Sequence, residues 1–265
     1  MRLLLFFTVF VCKGIFAQPI NLVPNPSFEF FNNCPISEIN NYYNGLDQIC
    51  LAYPWFQPYY PNDISWSSGC GGSSSDFFHS CAGIIPDIAW REDFQLPNKG
   101  VAFAGFSLIN LWSPNDYREY IEVPILSSLK RKRYCVSWYN NLGGDSYAIN
   151  RIGAFFSKDT LFQVGFWNPI YLDPQVENLA IVTDTQNWVP FHQIFTAEGG
   201  ERFMTIGNFR LGNLTDSTII NPQFTTNYYY FDDFGVYELP EISAGLGGEI
   251  DTLGENVPLS VPEIS

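Results

Sequence analysis

Positive charge is what this sequence has least of. Thirteen Lys and Arg stand against 27 Asp and Glu in 265 residues, a formal charge of −14. A surface of that sign repels nucleic acid and anionic membrane. Histidine is nearly absent, with only two, and no two cysteines are spaced Cys-x-x-Cys. A zinc centre is therefore not expected. There is no HExxH, no nucleophile elbow and no phosphate-cradling glycine loop. His79 and His192 read as structural, and no pair among the 27 acids is spaced so as to mark a glycosidase. Only 15% of residues are charged, and there are no helical heptads, charge blocks or internal repeats. After residue 17 no run is long and apolar enough to span a membrane.

What is abundant is aromatic. Twenty-four Phe, 15 Tyr and 7 Trp accompany 18 Pro and 21 Gly, a balance that favours strands and turns over helices. Residues 1–17 read as a secretory signal peptide: Arg2, then the apolar Leu3 to Val11, then Ala17 at the cleavage point. Losing the leader removes Arg2 and Lys13 and leaves 11 basic against 27 acidic residues, a charge of −16. That balance suits a soluble extracellular protein and divalent cations. Five cysteines remain, and an exported chain can oxidise them. An odd count fits two bridges and one thiol, with Cys135 between Tyr134 and Val136 expected as a free buried thiol in a core strand.

The chain divides into three by composition: leader 1–17, one large all-β domain 18–239, and an acidic tail 240–265 containing Gly and Pro. The tail is either a linker or the start of a following domain. Within the domain, 31–99 is dominated by turn chemistry and needs staples or a function. Strands are expected at 101–106, 117–125, 134–142, 151–157, 179–183, 188–196, 203–209 and 228–237. The closing strand, Tyr228-Tyr229-Tyr230-Phe231-Asp232-Asp233-Phe234-Gly235-Val236-Tyr237, carries two adjacent acids. A buried strand rarely does so unless a cation or a set of backbone donors answers them. Its expected partner is the entry stretch Asn21-Leu22-Val23-Pro24-Asn25-Pro26-Ser27-Phe28-Glu29. Exposed rings that could stack on sugars are sought among Trp55, Tyr59, Tyr60, Trp66, Trp90, Trp112 and Tyr117, all in or beside loops.

These two stretches resemble the first and last strands of galactose-binding-like jelly rolls, including calcium-containing carbohydrate-binding modules. The pieces between are similar to the N-terminal domain of exported Bacteroidota surface, gliding-motility and type IX secretion-associated proteins. They are Ser75-Asp76-Phe77-Phe78-His79-Ser80-Cys81, Gly100-Val101-Ala102-Phe103-Ala104-Gly105, Tyr117-Arg118-Glu119-Tyr120, Ser146-Tyr147-Ala148-Ile149-Asn150-Arg151-Ile152-Gly153 and Thr205-Ile206-Gly207-Asn208-Phe209. The resemblance implies a two-sheet jelly-roll β-sandwich with a long loop-rich insertion after the first strand, at the cell surface or outside the cell. It also implies a structural calcium held by Glu29, by Asp232 or Asp233, and by the turn at Asn25. Positions like Cys34 and Cys81 recur in it, so Cys34–Cys81 is the expected bridge, with the added Cys50 and Cys70 nested inside. Asp159-Thr160, Asp216-Ser217 and Asp251-Thr252 resemble O-glycosylation acceptors, at Thr160, Ser217 and Thr252. The expected function is a non-enzymatic carbohydrate-binding or adhesion module whose partner is a glycan or cell-surface protein. The alternatives are a structural protein-interaction domain of a surface, motility or secretion assembly, and a glycoside or ester hydrolase.

Overall fold

The computed structural model describes residues 19–35, 48–58, 74–83, 85, 87–88, 93–109, 116–144, 147–164, 168–221 and 227–241. Thirteen strands lie among them: β1 (Asp76–His79), β2 (Asp87–Ile88), β3 (Asp93–Phe94), β4 (Ala102–Phe106), β5 (Ile121–Pro124), β6 (Arg133–Leu142), β7 (Tyr147–Ile149), β8 (Ile152–Ser157), β9 (Val176–Asn178), β10 (Val189–Thr196), β11 (Phe203–Asn208), β12 (Ser217–Ile219) and β13 (Tyr229–Glu238). The helical pieces among the described residues are single 3-10 turns, and none is long and apolar enough to cross a membrane.

The strands form a two-sheet jelly-roll β-sandwich. One sheet has the order β1-β4-β13-β6-β10 and the other β5-β11-β8-β9, with small ribbons β12-β7 and β2-β3 beside them. Every neighbouring pair is antiparallel. The core lies between the two large sheets. Alternation along β6 sends Tyr134, Val136 and Trp138 inward, where they meet Phe77, Ala104, Phe231 and Val236 from the same sheet and Ile121, Met204, Ile206 and Phe156 from the other.

The entry stretch does meet the last strand, but as a laced segment rather than a strand. Asn21 bridges Tyr237, the Leu22 amide donates to the Val236 carbonyl at 2.8 Å, and the Asn21 side chain both donates to Phe234 O and accepts from Val236 N. Asn25 and Phe28 take left-handed φ of 52° and 61°. That sharp turn drives the Phe28 ring into the core against Trp55 and Phe234.

Several expected boundaries move. The strand expected at 117–125 is only Ile121–Pro124, because the side chains before it turn inward to polar partners. The buried Arg118 guanidinium donates to both the carbonyl and side-chain oxygen of Asn208 at 2.9 Å. The strand expected at 179–183 is instead Val176–Asn178. Cys135 is half-buried rather than a core thiol, since its neighbours Tyr134 and Val136 occupy the inward positions.

Candidate functional site

The outward face of the five-stranded sheet collects aromatics. Phe78, Phe103 and Tyr230 stand side by side on β1, β4 and β13, and with Tyr228 they form a second apolar cluster. Phe78 and Phe103 stack at 4.9 Å, while Tyr230 presents its edge to each. Gly105 makes this packing feasible: a Cβ there would lie 2.5 Å from the Tyr228 hydroxyl and 2.8 Å from the Phe78 ring.

This face is roofed by the chain itself. Ile85 and Trp188 pack on the cluster, and the segment 94–98 runs beside them. Gln95 is 3% exposed; its amide accepts from Asn141 and donates to Leu96 O. The Trp188 indole N–H donates to Leu96 O at 2.8 Å, joining residues 92 apart in the chain. Trp188 is thus held edge-on to Phe103, centroids 5.9 Å apart.

Where the roof meets the rim there is a cleft of about 360 Å³, lined by Phe94, Gln95, Leu96, Pro97, Asn98, Gln186, Asn187 and Trp188. Among the described residues its lining is two rings, two aliphatic side chains and four carboxamides, with no charged, nucleophilic or imidazole group. Phe94 and Leu96 are more than half exposed. Behind one wall lies Asp184, whose Oδ1 accepts from the Gln186 and Asn187 amides at 2.9 and 2.7 Å. Those bonds, from Asn187 first and then Gln186, hold its carboxyl below the usual range.

The opposite wall is anchored by the acids that the sequence singles out. Directly after Asn98, the Lys99 amide donates to Asp232 Oδ2 at 2.8 Å, and the Val101 amide to Glu29 Oε1 at 2.8 Å. Gly100 between them has φ 68°, and the Glu29 carboxylate occupies the space a side chain would need. Asp232 is fully buried, and burial pushes its carboxyl up to about 8, against the lowering effect of the Lys99 and Asp233 amides. Asp233 turns away at φ 51° toward the Lys99 ammonium, 3.6 Å distant.

As donors for a cation, these residues divide. Asn25 is occupied: its side chain donates to Phe30 O and Tyr53 O and accepts from Phe30 N, and its carbonyl accepts from Trp55. Glu29 and Asp232 each keep unused lone pairs beside one turn, and among the described residues no cationic side chain is bonded to the buried Asp232. That donor chemistry fits a hard divalent ion. Among the described residues no group of three or more His, Cys, Asp or Glu is gathered to hold a metal, so carbonyl oxygens would have to complete the shell.

Of the rings sought for sugar stacking, Trp55 is 1% exposed and belongs to the core. Tyr117 gives its hydroxyl to Glu119. Neither lines the cleft. Tyr59, Tyr60, Trp66, Trp90 and Trp112 lie outside the described residues. The sequence places Trp188 at the start of a strand; the polar run Asp184 to Asn187 before it is the one signal of a turn presenting a ring. The Cys34–Cys81 bridge is present. Cys50 is also disulfide-bonded, and Cys70 lies outside the described residues. Ser217 is exposed, Thr160 half-buried, and Thr252 outside the described residues.

A second buried acid carries no mark in the sequence. Glu122, on the outward face of the other sheet, accepts from the Thr205 hydroxyl at 2.6 Å and the Leu161 amide at 3.1 Å. Its Oε1 has no partner, and burial pushes the carboxyl up to about 7.

No protein-family model and no curated protein matches this chain. Solved structures do. The CBM22-1 xylan-binding domain from Paenibacillus barcinonensis Xyn10C is 16% identical, covering 55% of this chain and 77% of its own, with a TM-score of 0.32. A structure described as CBM4 structure and function is 15% identical over 79% of this chain and 99% of its own, at 0.31. The K3 cleaved adhesin domain of Lys-gingipain from Porphyromonas gingivalis w83 is 10% identical over 62% and 92%, at 0.34.

Proposed function

We propose that the chain is an exported, non-enzymatic surface module that binds carbohydrate through the cleft between Phe94–Asn98 and Gln186–Trp188. The observation that carries this reading is the lining of that cleft. An aromatic ring offers an apolar face to the C–H groups of a pyranose, while carboxamides match hydroxyls as both donors and acceptors. The volume lies at the lower end for small-ligand sites, which suits a short stretch of sugar. Among the described residues the lining holds no carboxylate, imidazole or nucleophile, which supports binding rather than hydrolysis. The disulfide supports an oxidising, extracytoplasmic setting. A structural calcium at Glu29 and Asp232 belongs to the same reading. It would fix the turn that continues from one cleft wall.

A second reading, a protein-interaction domain, has one observation in its favour. Phe30 and Tyr53 are 71% and 65% exposed, and the Asn25 side chain ties their carbonyls together. Two exposed rings on backbone held together by one side chain suit a protein partner. A glycan array probed with the purified chain and with Trp188→Ala separates the two. Hits lost in the variant support the cleft. A blank array, with a partner captured by wild type and lost in a Phe30→Ser/Tyr53→Ser variant, supports the second.

A further inference from the structure

We infer that the cleft selects uncharged glycan and rejects uronic-acid and sulfated glycan, an inference that rests on the carbohydrate reading above. Gln186 and Asn187 have their backbone amides committed to Asp184, and the Asn187 carboxamide donates to Asp184 Oδ2 at 3.1 Å. The wall that would meet the sugar is therefore backed by a full negative charge, kept ionised by those same bonds. Among the described residues no Lys, Arg or His lines the cleft to answer an anion.

The nearest cation along the chain is Lys99, one residue beyond Asn98. Its ammonium faces Asp233, and its amide is spent on Asp232. Asp233 and Glu29 on that side outnumber it, while Asp232, with its carboxyl pushed up to about 8, is largely protonated at neutral pH. An acidic sugar would thus approach carboxylates from both walls, on a protein that already carries a formal charge of −14. A like charge brought near without a partner is an effective means of rejection.

The groups left open in the lining are neutral. Among the described residues the Asn98 and Gln186 carboxamides have no partner within the protein, and the Asn187 side-chain oxygen likewise accepts nothing. An uncharged ring placed against Trp188 and Phe94 meets the Asn98 and Gln186 amides, able to both give and take hydrogen bonds, and the Asn187 oxygen, able to accept, and leaves no buried charge unpaired. Gln95 is not among them, because Asn141 and Leu96 already hold it. Selectivity thus falls to charge, and hydroxyl recognition to Asn98, Gln186 and Asn187.

The test is calorimetric titration of the purified chain with cellohexaose, xylohexaose and mannohexaose, and with hexagalacturonate and a sulfated galactan hexamer, at 20 and 300 mM salt. The expected result is binding of at least one neutral hexamer, unchanged by salt. Acidic hexamers should bind tenfold or more weakly, the gap narrowing at high salt as the charges are screened. Trp188→Ala should lose tenfold or more. Because Trp188 also packs on Phe103, the surface double variant Asn98→Ala/Gln186→Ala should lose several-fold with an unchanged melting temperature. Asp184→Asn should raise the affinity for hexagalacturonate relative to the neutral hexamers. An acidic hexamer that binds as tightly as the neutral ones, and is lost in the same variants, overturns the selectivity and leaves the carbohydrate reading standing. No binding of any hexamer, or binding that ignores all the variants, overturns both.

Discussion

The Thr205 hydroxyl donates to the Glu122 carboxylate at 2.6 Å in a layer where neither residue meets solvent. The pair joins β5 to β11 on the outward face of the smaller sheet, and the Leu161 amide brings the 158–164 segment down onto it.

This arrangement makes stability depend on pH in a stated direction. Burial raises the folded carboxyl to about 7 from 4.5, so the folded state binds the proton more tightly. The resulting stabilisation is complete below about 4.5 and is lost as pH rises through 7. Between pH 4.5 and 8, wild type should lose about 2–3 kcal/mol relative to Glu122→Gln. Urea melts of both proteins at several pH values measure it. Parallel pH profiles would show that Glu122 does not titrate in this window.

Gly207 faces the Tyr120 ring, and a Cβ there would sit inside its contact distance. Tyr120 cannot move aside freely, since its hydroxyl donates to Asn208 O and accepts from the Ile170 amide. Gly207→Ala should therefore destabilise by about 1–3 kcal/mol through overpacking. Adding Tyr120→Phe, which frees the ring, should cost less than the sum of the single changes. Strict additivity would argue against a clash between the two.

Calcium should stabilise the fold through Asp232 and Glu29. At a hundred times its dissociation constant it would add about 2.7 kcal/mol, several degrees of melting temperature for a chain of this size. The ion has to displace the Asp232 proton, so the response should be larger at pH 8.5 than at pH 6. Asp232→Asn should abolish it, whereas Asp233→Asn should keep it. Melting that EDTA leaves unchanged, together with no metal by elemental analysis, rejects the ion.

The Cys34–Cys81 bridge closes a loop with a sequence separation of 47. In the chain-entropy model that is worth roughly 4 kcal/mol. Cys34→Ser/Cys81→Ser should melt correspondingly earlier under non-reducing conditions. The bridge ties the entry stretch to the turn that follows β1, so the loss should appear first as proteolytic nicking between residues 31 and 75. Equal protease resistance in variant and wild type would count against that role.

How much of this could be read beforehand differs by element, for physical reasons. β6 and β13 were legible nearly to the residue. One face of β6 is core and the other only half-covered, so Tyr134, Val136 and Trp138 alternate with Cys135, Ser137 and Tyr139. β1 was not legible as a strand, because Asp76, Phe77, Phe78 and His79 are buried on both faces and show no period of two. Arg118 and Glu119 read as strand residues; the structure shows them as buried polar anchors, a role set by Asn208 and Ser107 rather than by local pattern. The acids of β13 asked for a cation or a set of backbone donors, and the Lys99 amide from a distant turn is one such donor to Asp232. The cleft was out of reach, since 94–98 and 186–188 meet only because the sheet order brings β4 and β10 to the same outward face.

The lacing of residues 21–22 to 234–237 has a mechanical consequence. Because Asn21 and Tyr237 pair antiparallel, residues 19 and 239 emerge from the same end of that ladder. A tether attached at those two points and drawn apart loads its bonds one after another, starting at Asn21, like a zipper. The first yield is thus expected at low force and confined to the entry segment. β13, gripped by β4 and β6 on either side, would keep the cleft and its roof in place while the segment peels.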